Sequence, residues 1–403
     1  MNGHDGGDPM HILFLTDNFP PEVNAPASRT YEHAREWVKQ GRSVTVITCA
    51  PNFPAGKVYD GYTNKLWQRE VMDGITVVRV WSYITANDGF VRRTLDYVSY
   101  MLAAIIAAPF VARADVVVAT SPQFFTAVAG YVTSRMKRAP FVFELRDLWP
   151  DSIKAVGAMS DGFVVGALTR LEMMLYRKAA AIISVTHSFR QTLIDRGIDG
   201  NKIHVVTNGV DATRFKPMAR DGELEIELDL SGKLVVGYVG THGMAHALET
   251  LLDAAHLLQQ SGRDDIHVVL LGDGARKSAL MRRAHELQLA NVSFIETVPK
   301  TDVPRYWSLI DMAVIHLKRS ELFETVIPSK LFECMGMGIP VVHGVAGESA
   351  KIVAKEGCGV VFQPEDAEAL CAEIVRLAAD PALRKRLSQG SAQAAGRYDR
   401  ARL

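Results

Sequence analysis

Short apolar, β-branched runs alternate with segments of helical spacing along the first half of the chain. The first run, His11 to Phe19, is followed by a helical pattern from Arg29 to Gly41 and by a second run from Ser43 to Pro51. The alternation continues in later segments, at 114–122, 124–137, 140–150, 164–178, 180–186 and 202–211. Strands that alternate with helices in this way predict a parallel sheet covered on both faces.

The alternation lapses after Asp211 and starts again at Leu234. The sequence between them, TRFKPMARDGELEIELDLSGK, is charged and rich in turn residues. We therefore predict an α/β protein with two doubly wound, Rossmann-like domains facing each other across a cleft, in which ligands bind at the carboxyl ends of the strands. The predicted divisions are a disordered tail over 1–9, an N-terminal domain over 10–212, a linker over 213–232 and a C-terminal domain over 233–403.

Composition adds limits on the kind of partner and on the compartment. The 403 residues carry a formal net charge of zero, so no global field favours nucleic acid and any anion site must be local. The four cysteines form no Cys-x-x-Cys pair, which is typical of reduced thiols in a cytosolic protein. The first nine residues, MNGHDGGDP, lack the pattern of a signal peptide. We therefore expect a cytoplasmic protein.

One apolar stretch raises the question of a membrane. The run from Met101 to Ala112 is shorter than the ~20 residues that span a bilayer, and Pro109 interrupts it. Two interpretations remain open. The run forms a buried core helix, or it forms a helix that lies on a membrane surface beside Arg92 and Arg93.

Several cofactor and metal signatures are missing from the sequence. The strings GYVGTHG and LGDGARKSAL do not fit the Gly-x-Gly-x-x-Gly dinucleotide fingerprint, and no P-loop motif occurs. His242 and His246 are four residues apart, but no acidic or cysteine partner is adjacent in the sequence. We therefore predict no cofactor and no metal site.

The two glycine strings nevertheless follow apolar strands and precede helices. At such positions glycine lets a ligand phosphate approach backbone N–H groups, whereas the alternative is a plain tight turn. The residues assigned to a ligand on this basis are Gly240, Thr241, His242, Gly243, Gly272 and Gly274.

A third segment, TVIPSKLFECMGMGIPVV, carries the strongest signal. Ser329 is placed to cap a helix that starts near Lys330, and the first-turn N–H groups of such a helix bind anions. Lys330 adds a positive charge, and Glu333 lies one turn further, where a carboxylate can bind a ribose diol. The alternative is a capped core helix with solvated charges. The ligand-binding residues predicted here are Glu324, Thr325, Val326, Ile327, Pro328, Ser329, Lys330 and Glu333.

The segment PSKLFECMGMGIPVV resembles the donor-binding segment of family 4 glycosyltransferases. The strings FPPEVNAPASRTYEHAREWVKQGRSVTVIT, FVFELRDLWP, VVTNGVDATRF, VVGYVGTHGMAHALETLLDAA and VVLLGDGARKSAL occur in the order of that family. The resemblance extends over nearly the whole chain and implies the GT-B fold and a retaining, metal-independent sugar transfer.

Three strings, THGMAHALET, ELRDLWPDSI and TVIPSKLFE, are most similar to bacterial transferases of the N-acetyl-fucosamine type, which build O-antigen or capsule. This similarity implies a nucleoside-diphosphate sugar donor, most often UDP-linked. It also implies a lipid-linked saccharide acceptor at the inner face of the cell membrane, with the protein at the membrane surface.

The chain departs from the family pattern at several positions. Thr325 stands where many members have a glutamate, eight residues before Glu333. Asn24 and Ala25 replace two glycines, Arg146 precedes Asp147 where a histidine is frequent, and THGMAH replaces a frequent arginine and lysine pair. Phosphate charge must then come from other residues. Lys330 is the first candidate, followed by Arg276, Lys318 and Arg319.

The resemblance gives each candidate a role. Because Thr325 cannot act as a carboxylate nucleophile, we expect same-face attack on the sugar, with the leaving phosphate helping to deprotonate the acceptor. Lys330 would hold the diphosphate, and Asp147, beside Arg146, would orient or deprotonate the acceptor hydroxyl. The proline-rich loop would present Glu22, Asn24 and Arg29 to the acceptor. Two alternatives remain: a nucleotide-sugar epimerase of the same architecture and a non-catalytic nucleotide-sugar-binding partner subunit.

Overall fold

The computed structural model describes residues 9–53, 55–85, 90–152 and 162–403. The chain divides into two compact units, an N-terminal unit (Met1–Val206) and a C-terminal unit (Thr207–Leu403). Of the predicted disordered tail, residues 1–8 lie outside the described residues, and Pro9 is exposed.

The N-terminal unit contains an eight-stranded sheet in the order β3-β4-β2-β1-β5-β6-β7-β8. All neighbouring strands are parallel except β3, which pairs antiparallel with β4 at one edge. The strands are β1 (His11–Leu15), β2 (Ser43–Cys49), β3 (Trp67–Met72), β4 (Ile75–Val80), β5 (Val116–Thr120), β6 (Phe141–Leu145), β7 (Ala181–Ser184) and β8 (Ile203–Val205).

Helices of the N-terminal unit connect these strands. They are α1 (Ala25–Lys39), α2 (Phe90–Ala107), α3 (Phe124–Lys137), α4 (Phe163–Lys178) and α5 (His187–Asp195). Side chains from β1, β2 and β4, among them Phe14, Val46 and Val77, pack into the core with at most 1% of their surface exposed. The hairpin partners β3 and β4 are absent from the sequence-based prediction.

The C-terminal unit contains a six-stranded parallel sheet in the order β11-β10-β9-β12-β13-β14. Its strands are β9 (Leu234–Val239), β10 (Ile266–Leu271), β11 (Val292–Ile295), β12 (Met312–His316), β13 (Val341–Gly344) and β14 (Gly359–Val361). This order reverses direction between β9 and β12, so the topological switch point, where doubly wound sheets bind ligands, lies there. The predicted pair of doubly wound sheets is confirmed.

Eight helices are described in the C-terminal unit. They are α6 (Gly222–Glu227), α7 (Glu249–Gln260), α8 (Lys277–Glu286), α9 (Val303–Trp307), α10 (Lys330–Met337), α11 (Glu348–Glu356), α12 (Ala367–Ala379) and α13 (Pro381–Ala395). The core is formed by α7, α8, α12 and α13 against the sheet, and its buried members include Val268, Leu270 and Ile374.

The predicted linker requires a correction. The division between the units falls between Val206 and Thr207, and the segment 213–232 belongs to the C-terminal unit. Phe215, Leu224 and Leu230 are at most 4% exposed, and the segment includes α6. Charged residues separate these buried apolar side chains, so the sequence shows no continuous apolar run and the segment resembles an interdomain linker.

The apolar run near Met101 has one buried face and one exposed face, which confirms core packing for the first and leaves membrane contact of the second as a prediction. It lies in α2 and the 3-10 turn Ala108–Phe110. Tyr100 and Ala104 on one face of α2 are buried, whereas Leu102 and Ile106 on the other face are 52% and 68% exposed. Within the described residues, no helix is long and apolar enough to cross a membrane.

Candidate functional site

The candidate donor site lies at the switch point of the C-terminal sheet. The first glycine loop (residues 240–247, including a 3-10 turn at Met244–His246) follows β9, and the second (residues 272–274) follows β10, so both leave the same edge of the sheet. The chain after β12 leads along this edge to the N-terminus of α10. The structure thus brings together the three segments that the sequence assigned to one ligand.

The glycines are required by close packing within the protein. Gly240 has φ +135°, and a Cβ atom there would lie 2.1 Å from Lys330 Cε. At Gly272 (φ +138°) a Cβ atom would lie 2.1 Å from the Gly240 carbonyl oxygen, and at Gly274 it would lie 2.6 Å from the His242 carbonyl oxygen. These glycines therefore let the two loops and Lys330 pack directly against one another, which a plain tight turn would not require.

Lys330 is the cation of this site. Its Nζ lies 5.0 Å from the centroid of the buried Tyr238 ring, within the range of a cation–π contact. The Tyr238 hydroxyl donates to the Thr241 carbonyl at 2.8 Å, which ties the first glycine loop to the same ring. Burial lowers the pKa of Lys330 to about 8, against the opposing effect of Glu333. Lys330 forms no ion pair with any described residue, so its charge remains available to a ligand.

The N-terminus of α10 differs in detail from the prediction. Ser329 occupies the N-cap position, but its backbone is helical and its side chain makes no capping hydrogen bond. The N–H groups of Val326 and Leu331 donate to Phe323 and Pro328 carbonyls at 3.2 and 3.1 Å. Fewer N–H groups are therefore open to an anion than the sequence predicts.

The residues before α10 form a compact turn. Thr325 ends a 3-10 turn, Phe323–Thr325, and its hydroxyl donates to the Leu322 carbonyl at 2.5 Å. Glu324 is exposed, Pro328 is half-buried, and the Ile327 side chain is only 3% exposed. The Ile327 side chain and the Thr325 hydroxyl therefore make contacts within the protein, and the ligand contacts predicted for this segment remain predictions.

Glu333 has a partner that the sequence did not indicate. Its carboxylate Oε2 accepts a hydrogen bond from the Trp307 indole N–H at 3.3 Å, and Trp307 is 1% exposed. Because the indole can only donate, it orients the half-buried carboxylate as an acceptor. This arrangement leaves the proposed ribose contact as a prediction and adds Trp307 as its support.

The histidines of the first glycine loop are neutral. His242 is fully buried and neither ring nitrogen has a hydrogen-bond partner among the described residues. Burial, reinforced by Lys277 and Lys330, lowers the pKa of His242 to about 4, and burial with Lys330 lowers that of His246 to about 3. Across the described ranges, no three His, Cys, Asp or Glu side chains gather in a group able to hold a metal.

In the N-terminal unit, Arg146 and Asp147 directly follow β6. Both backbone N–H groups donate to the Ser121 hydroxyl, at 2.8 and 3.3 Å. The Arg146 guanidinium donates to the Pro26 carbonyl at 3.2 Å, which ties this turn to the start of α1. Burial raises the pKa of Asp147 to about 6, and Asp151 adds to the shift. The half-buried Asp147 is therefore mostly ionised at neutral pH and retains an affinity for protons suited to a base.

The three residues predicted to contact the acceptor make hydrogen bonds or ion pairs within the protein. Glu22 is 3% exposed and accepts from the Asn52 and Phe53 N–H groups at 2.8 and 2.9 Å. Asn24 caps α1, its Oδ1 accepting from the Ala27 N–H at 2.9 Å. Arg29 is fully buried and pairs with Glu144 at 2.8 Å. Burial of Glu22 and Arg29 within the protein contradicts their prediction as acceptor contacts, whereas the half-buried Asn24 caps α1 and remains a predicted contact.

These two Rossmann-like units define the GT-B fold of glycosyltransferases. Residues 223–394 match the family model "Glycosyl transferases group 1", and residues 24–209 match the "Glycosyl transferase 4-like domain". The chain belongs to the group 1, family 4 glycosyltransferases.

Individual proteins share this similarity at low identity. D-inositol 3-phosphate glycosyltransferase of Salinispora tropica is 29% identical over 55% of this chain and 48% of its own length. GDP-mannose-dependent alpha-mannosyltransferase of Mycolicibacterium smegmatis is 25% identical over 92% and 89%. The structure of Anabaena Alr3699/HepE in complex with UDP-glucose has a TM-score of 0.72 at 18% identity, covering 98% of this chain and 96% of that one. The chain spans about half the length of the first curated relatives that it matches.

Proposed function

We propose that this protein transfers a sugar, with retention of configuration, from a nucleoside-diphosphate donor to an acceptor hydroxyl. The observation that carries the proposal is Lys330, a half-buried lysine that forms no ion pair with any residue that the structure describes and that stands between the first glycine loop and the N-terminus of α10. A buried cation beside helix N–H groups matches the charge of a leaving diphosphate. The UDP-glucose bound by the HepE relative supports a UDP-linked donor here.

The mechanism assigns one task to each group. Lys330 and the N–H groups of Ser329 and Lys330 stabilise the leaving diphosphate, and Glu333 binds the ribose. Thr325 offers no carboxylate to the sugar and its hydroxyl is engaged in its own turn, so the acceptor attacks on the face that the diphosphate leaves. The leaving phosphate takes the acceptor proton. Asp147 either orients the acceptor hydroxyl or takes the proton in place of the phosphate, because a carboxylate with a pKa of about 6 accepts protons readily near neutral pH.

The sugar and the acceptor belong to the same proposal. The motif similarity supports an N-acetyl-fucosamine-like sugar and a lipid-linked saccharide acceptor in O-antigen or capsule synthesis. Such an acceptor lies at the inner face of the membrane, so the enzyme needs a surface that meets lipid headgroups and acyl chains.

The exposed face of α2 fits this requirement. Leu95, Leu102 and Ile106 follow helical spacing on one face and are 53%, 52% and 68% exposed. Phe110, 77% exposed, continues the stripe and contacts Trp67 edge-on, with ring centroids 6.4 Å apart. The exposed Arg92, Arg93 and Arg113 flank the stripe. We define Leu95, Leu102, Ile106 and Phe110 as the α2 stripe and propose that it rests on an anionic membrane.

Glutamate at two positions of the α2 stripe should abolish binding to anionic vesicles. Leu102→Glu with Ile106→Glu places two carboxylates where acyl chains would lie, and burying charge there is costly. Co-sedimentation with vesicles of phosphatidylglycerol and phosphatidylcholine measures the loss. The matched control is Val71→Glu with Ile226→Glu, two residues that are 69% and 74% exposed outside the stripe. Equal vesicle binding by both double variants would contradict the proposed surface.

Replacing Lys330 with methionine should weaken donor binding by about 10- to 100-fold, because a hydrogen bond to a charged group contributes about 1.5–3 kcal/mol. Methionine preserves an apolar stem near Gly240 and Tyr238 while removing the charge. Thermal shift with UDP-, GDP- and ADP-sugars first selects the base, and calorimetry then measures the affinity. Arg283→Met is the control, since the Arg283 charge is paired with Asp253 at the surface and Arg283 is not assigned to the ligand. Unchanged donor affinity in Lys330→Met would contradict the assignment of Lys330 to the diphosphate.

One experiment separates transfer from the two alternatives. A transferase releases free nucleoside diphosphate only when an acceptor lipid fraction is added. Isomerisation of the sugar without acceptor would indicate the epimerase, and binding without either reaction would indicate a non-catalytic subunit.

A further inference from the structure

His316 joins two segments at the edge of the candidate donor site. It is the last residue of β12 and is 2% exposed. Its Nδ1 lies 2.8 Å from the His246 carbonyl oxygen, and its Nε2 lies 2.9 Å from the Glu365 backbone nitrogen. The ring stacks on Phe362, with centroids 5.7 Å apart and planes 6° apart. One side chain therefore connects the chain after β9 with the chain before α12.

The two hydrogen bonds fix one protonation form of the ring. The Glu365 backbone N–H can only donate, so Nε2 must accept. The His246 carbonyl can only accept, so Nδ1 must carry the proton. A neutral imidazole with its proton on Nδ1 satisfies both partners, and no other form of the ring does. His316 is thus defined by its contacts as a neutral connector.

Both segments that His316 connects contain a residue other than glycine with a positive φ angle. Ala247, directly after His246, has φ +42°, and Glu365 has φ +62°. The left-handed region costs residues other than glycine about 1–2 kcal/mol, so such conformations persist where the surroundings hold them. Two neighbouring bonds assist: the Lys318 N–H donates to the Ala245 carbonyl, and the Arg319 N–H donates to the Glu365 carboxylate, each at 2.8 Å.

The His246 end of this connection belongs to the first glycine loop. The His246 ring lies edge-on to the Tyr238 ring, with centroids 6.1 Å apart. The Tyr238 ring also contacts the Lys330 ammonium, and its hydroxyl donates to the Thr241 carbonyl. A displacement of the His246 carbonyl would therefore move the loop relative to Lys330. We propose that His316 is the positioning residue that holds the first glycine loop in its donor-binding conformation by joining it to the segment before α12. The inference rests on the proposed function.

The surroundings of His316 keep it neutral near pH 7. Burial lowers the pKa of His316, and the His246 carbonyl and the carboxylates of Glu365 and Glu249 oppose that shift. His246 and His343 also face the ring and are themselves neutral. A proton added to Nε2 would point at the Glu365 N–H and break that bond.

Two amide variants separate the halves of the connection. Asparagine places a donor near the position of Nδ1, and glutamine places an acceptor near the position of Nε2. His316→Asn can therefore retain the bond to His246, while His316→Gln can retain only the bond to Glu365. We expect His316→Gln and His316→Ala to weaken binding about five- to tenfold and His316→Asn to stay within twofold of the wild type. Calorimetry with UDP, GDP and ADP in parallel measures the affinity.

Amide exchange over residues 240–247 gives a second readout on the full-length chain without ligand. Exchange should be faster in the Gln and Ala variants than in the Asn variant. Equal behaviour of the Asn and Gln variants in both measurements, or a wild-type affinity in the Ala variant, would overturn the proposal. If wild-type protein bound none of the three nucleotides, the proposed function would fail, whereas the exchange comparison would still decide whether His316 holds the loop.

Discussion

Replacing Arg29 with methionine is expected to destabilise the N-terminal unit by about 3–5 kcal/mol, because it leaves the Glu144 carboxylate buried without its partner. Arg29 is fully buried, its Nε donates to Glu144 at 2.8 Å, and its terminal nitrogen donates to the Val206 carbonyl at 2.9 Å. Although burial opposes it, the attraction of Arg29 and Arg146 lowers the pKa of Glu144 to about 2. The Glu144 carboxyl is therefore ionised near neutral pH.

Urea unfolding, followed by amide exchange in β1 and β6, measures this effect in the intact chain. The double variant Arg29→Met with Glu144→Leu should recover most of the stability, since an apolar pair of similar volume leaves no buried charge. Arg263→Met is the surface control, because its pair with Asp265 is exposed and such pairs contribute about 0–1 kcal/mol. A stable Arg29→Met protein that fails only with acceptor would restore the role predicted from the sequence.

The two units are expected to respond to pH in opposite directions. In the C-terminal unit, burial lowers the pKa of the fully buried His242 to about 4, with Lys277 and Lys330 adding to the shift, and that of His343 to about 3. At pH values below about 6.5 and above the folded-state pKa values, these histidines bind protons in the unfolded chain but not in the folded chain. The free energy of unfolding of the C-terminal unit therefore falls as pH falls. At pH 5 each histidine costs about 2 kcal/mol relative to pH 8, and the pair about 4 kcal/mol.

Carboxyl groups give the N-terminal unit the opposite sign. Burial raises the pKa of Asp96 to about 7 and that of Glu172 to about 8, and it raises that of Asp17 well above its usual value. Above about pH 4 the unfolded chain has released these protons while the folded chain retains them. The protonated carboxyl groups therefore stabilise the folded N-terminal unit at low pH, and this stabilisation is lost as pH rises through 7 and 8. We expect the N-terminal unit to be more stable at pH 5 than at pH 7.5.

Amide exchange of the intact protein at pH 5 and pH 7.5, corrected for intrinsic rates, resolves the two responses. Protection of β9, β10 and β12 should increase at the higher pH, while protection of β1, β2 and β6 should decrease. His343→Leu should remove about 2 kcal/mol of the loss in the C-terminal unit at pH 5, whereas His285→Gln, at an exposed position, should change nothing. A common direction in both units would show that these buried groups do not govern stability.

The sequence predicted both sheets because their strands are short apolar runs buried on both faces. It also placed the glycine loops and the Lys330 segment at one edge, since parallel strands end on the same side. It missed β3, where WQREVM lies at the edge of the sheet with alternating exposed and half-buried residues and so resembles a polar loop. It also missed β4, the buried run ITVVRV, because a short turn and not a helix separates it from β3 and the prediction relied on strands that alternate with helices.

Long-range pairing explains the errors at the site. Arg29 and Glu144 are 115 residues apart, and Trp307 and Glu333 are 26 apart, so no local spacing shows that these charges or rings meet. Arg29 was therefore assigned to a ligand when its partner is the protein. In the sequence, His316 is one polar residue in the apolar run MAVIHLK. Only the structure shows that its two ring nitrogens bind the backbone groups of His246 and Glu365.

The stacking of Gly240, Gly272 and Lys330 has a consequence for how donor preference can evolve. At Gly272 (φ +138°) a Cβ would lie 2.1 Å from a backbone oxygen, and at Gly240 (φ +135°) it would displace the end of the Lys330 side chain, so substitution at either position disturbs the stack. Thr241 and Met244 lie beside this frame and are exposed. We therefore expect changes of sugar preference to arise at these two positions, while the frame proposed to hold the diphosphate is retained.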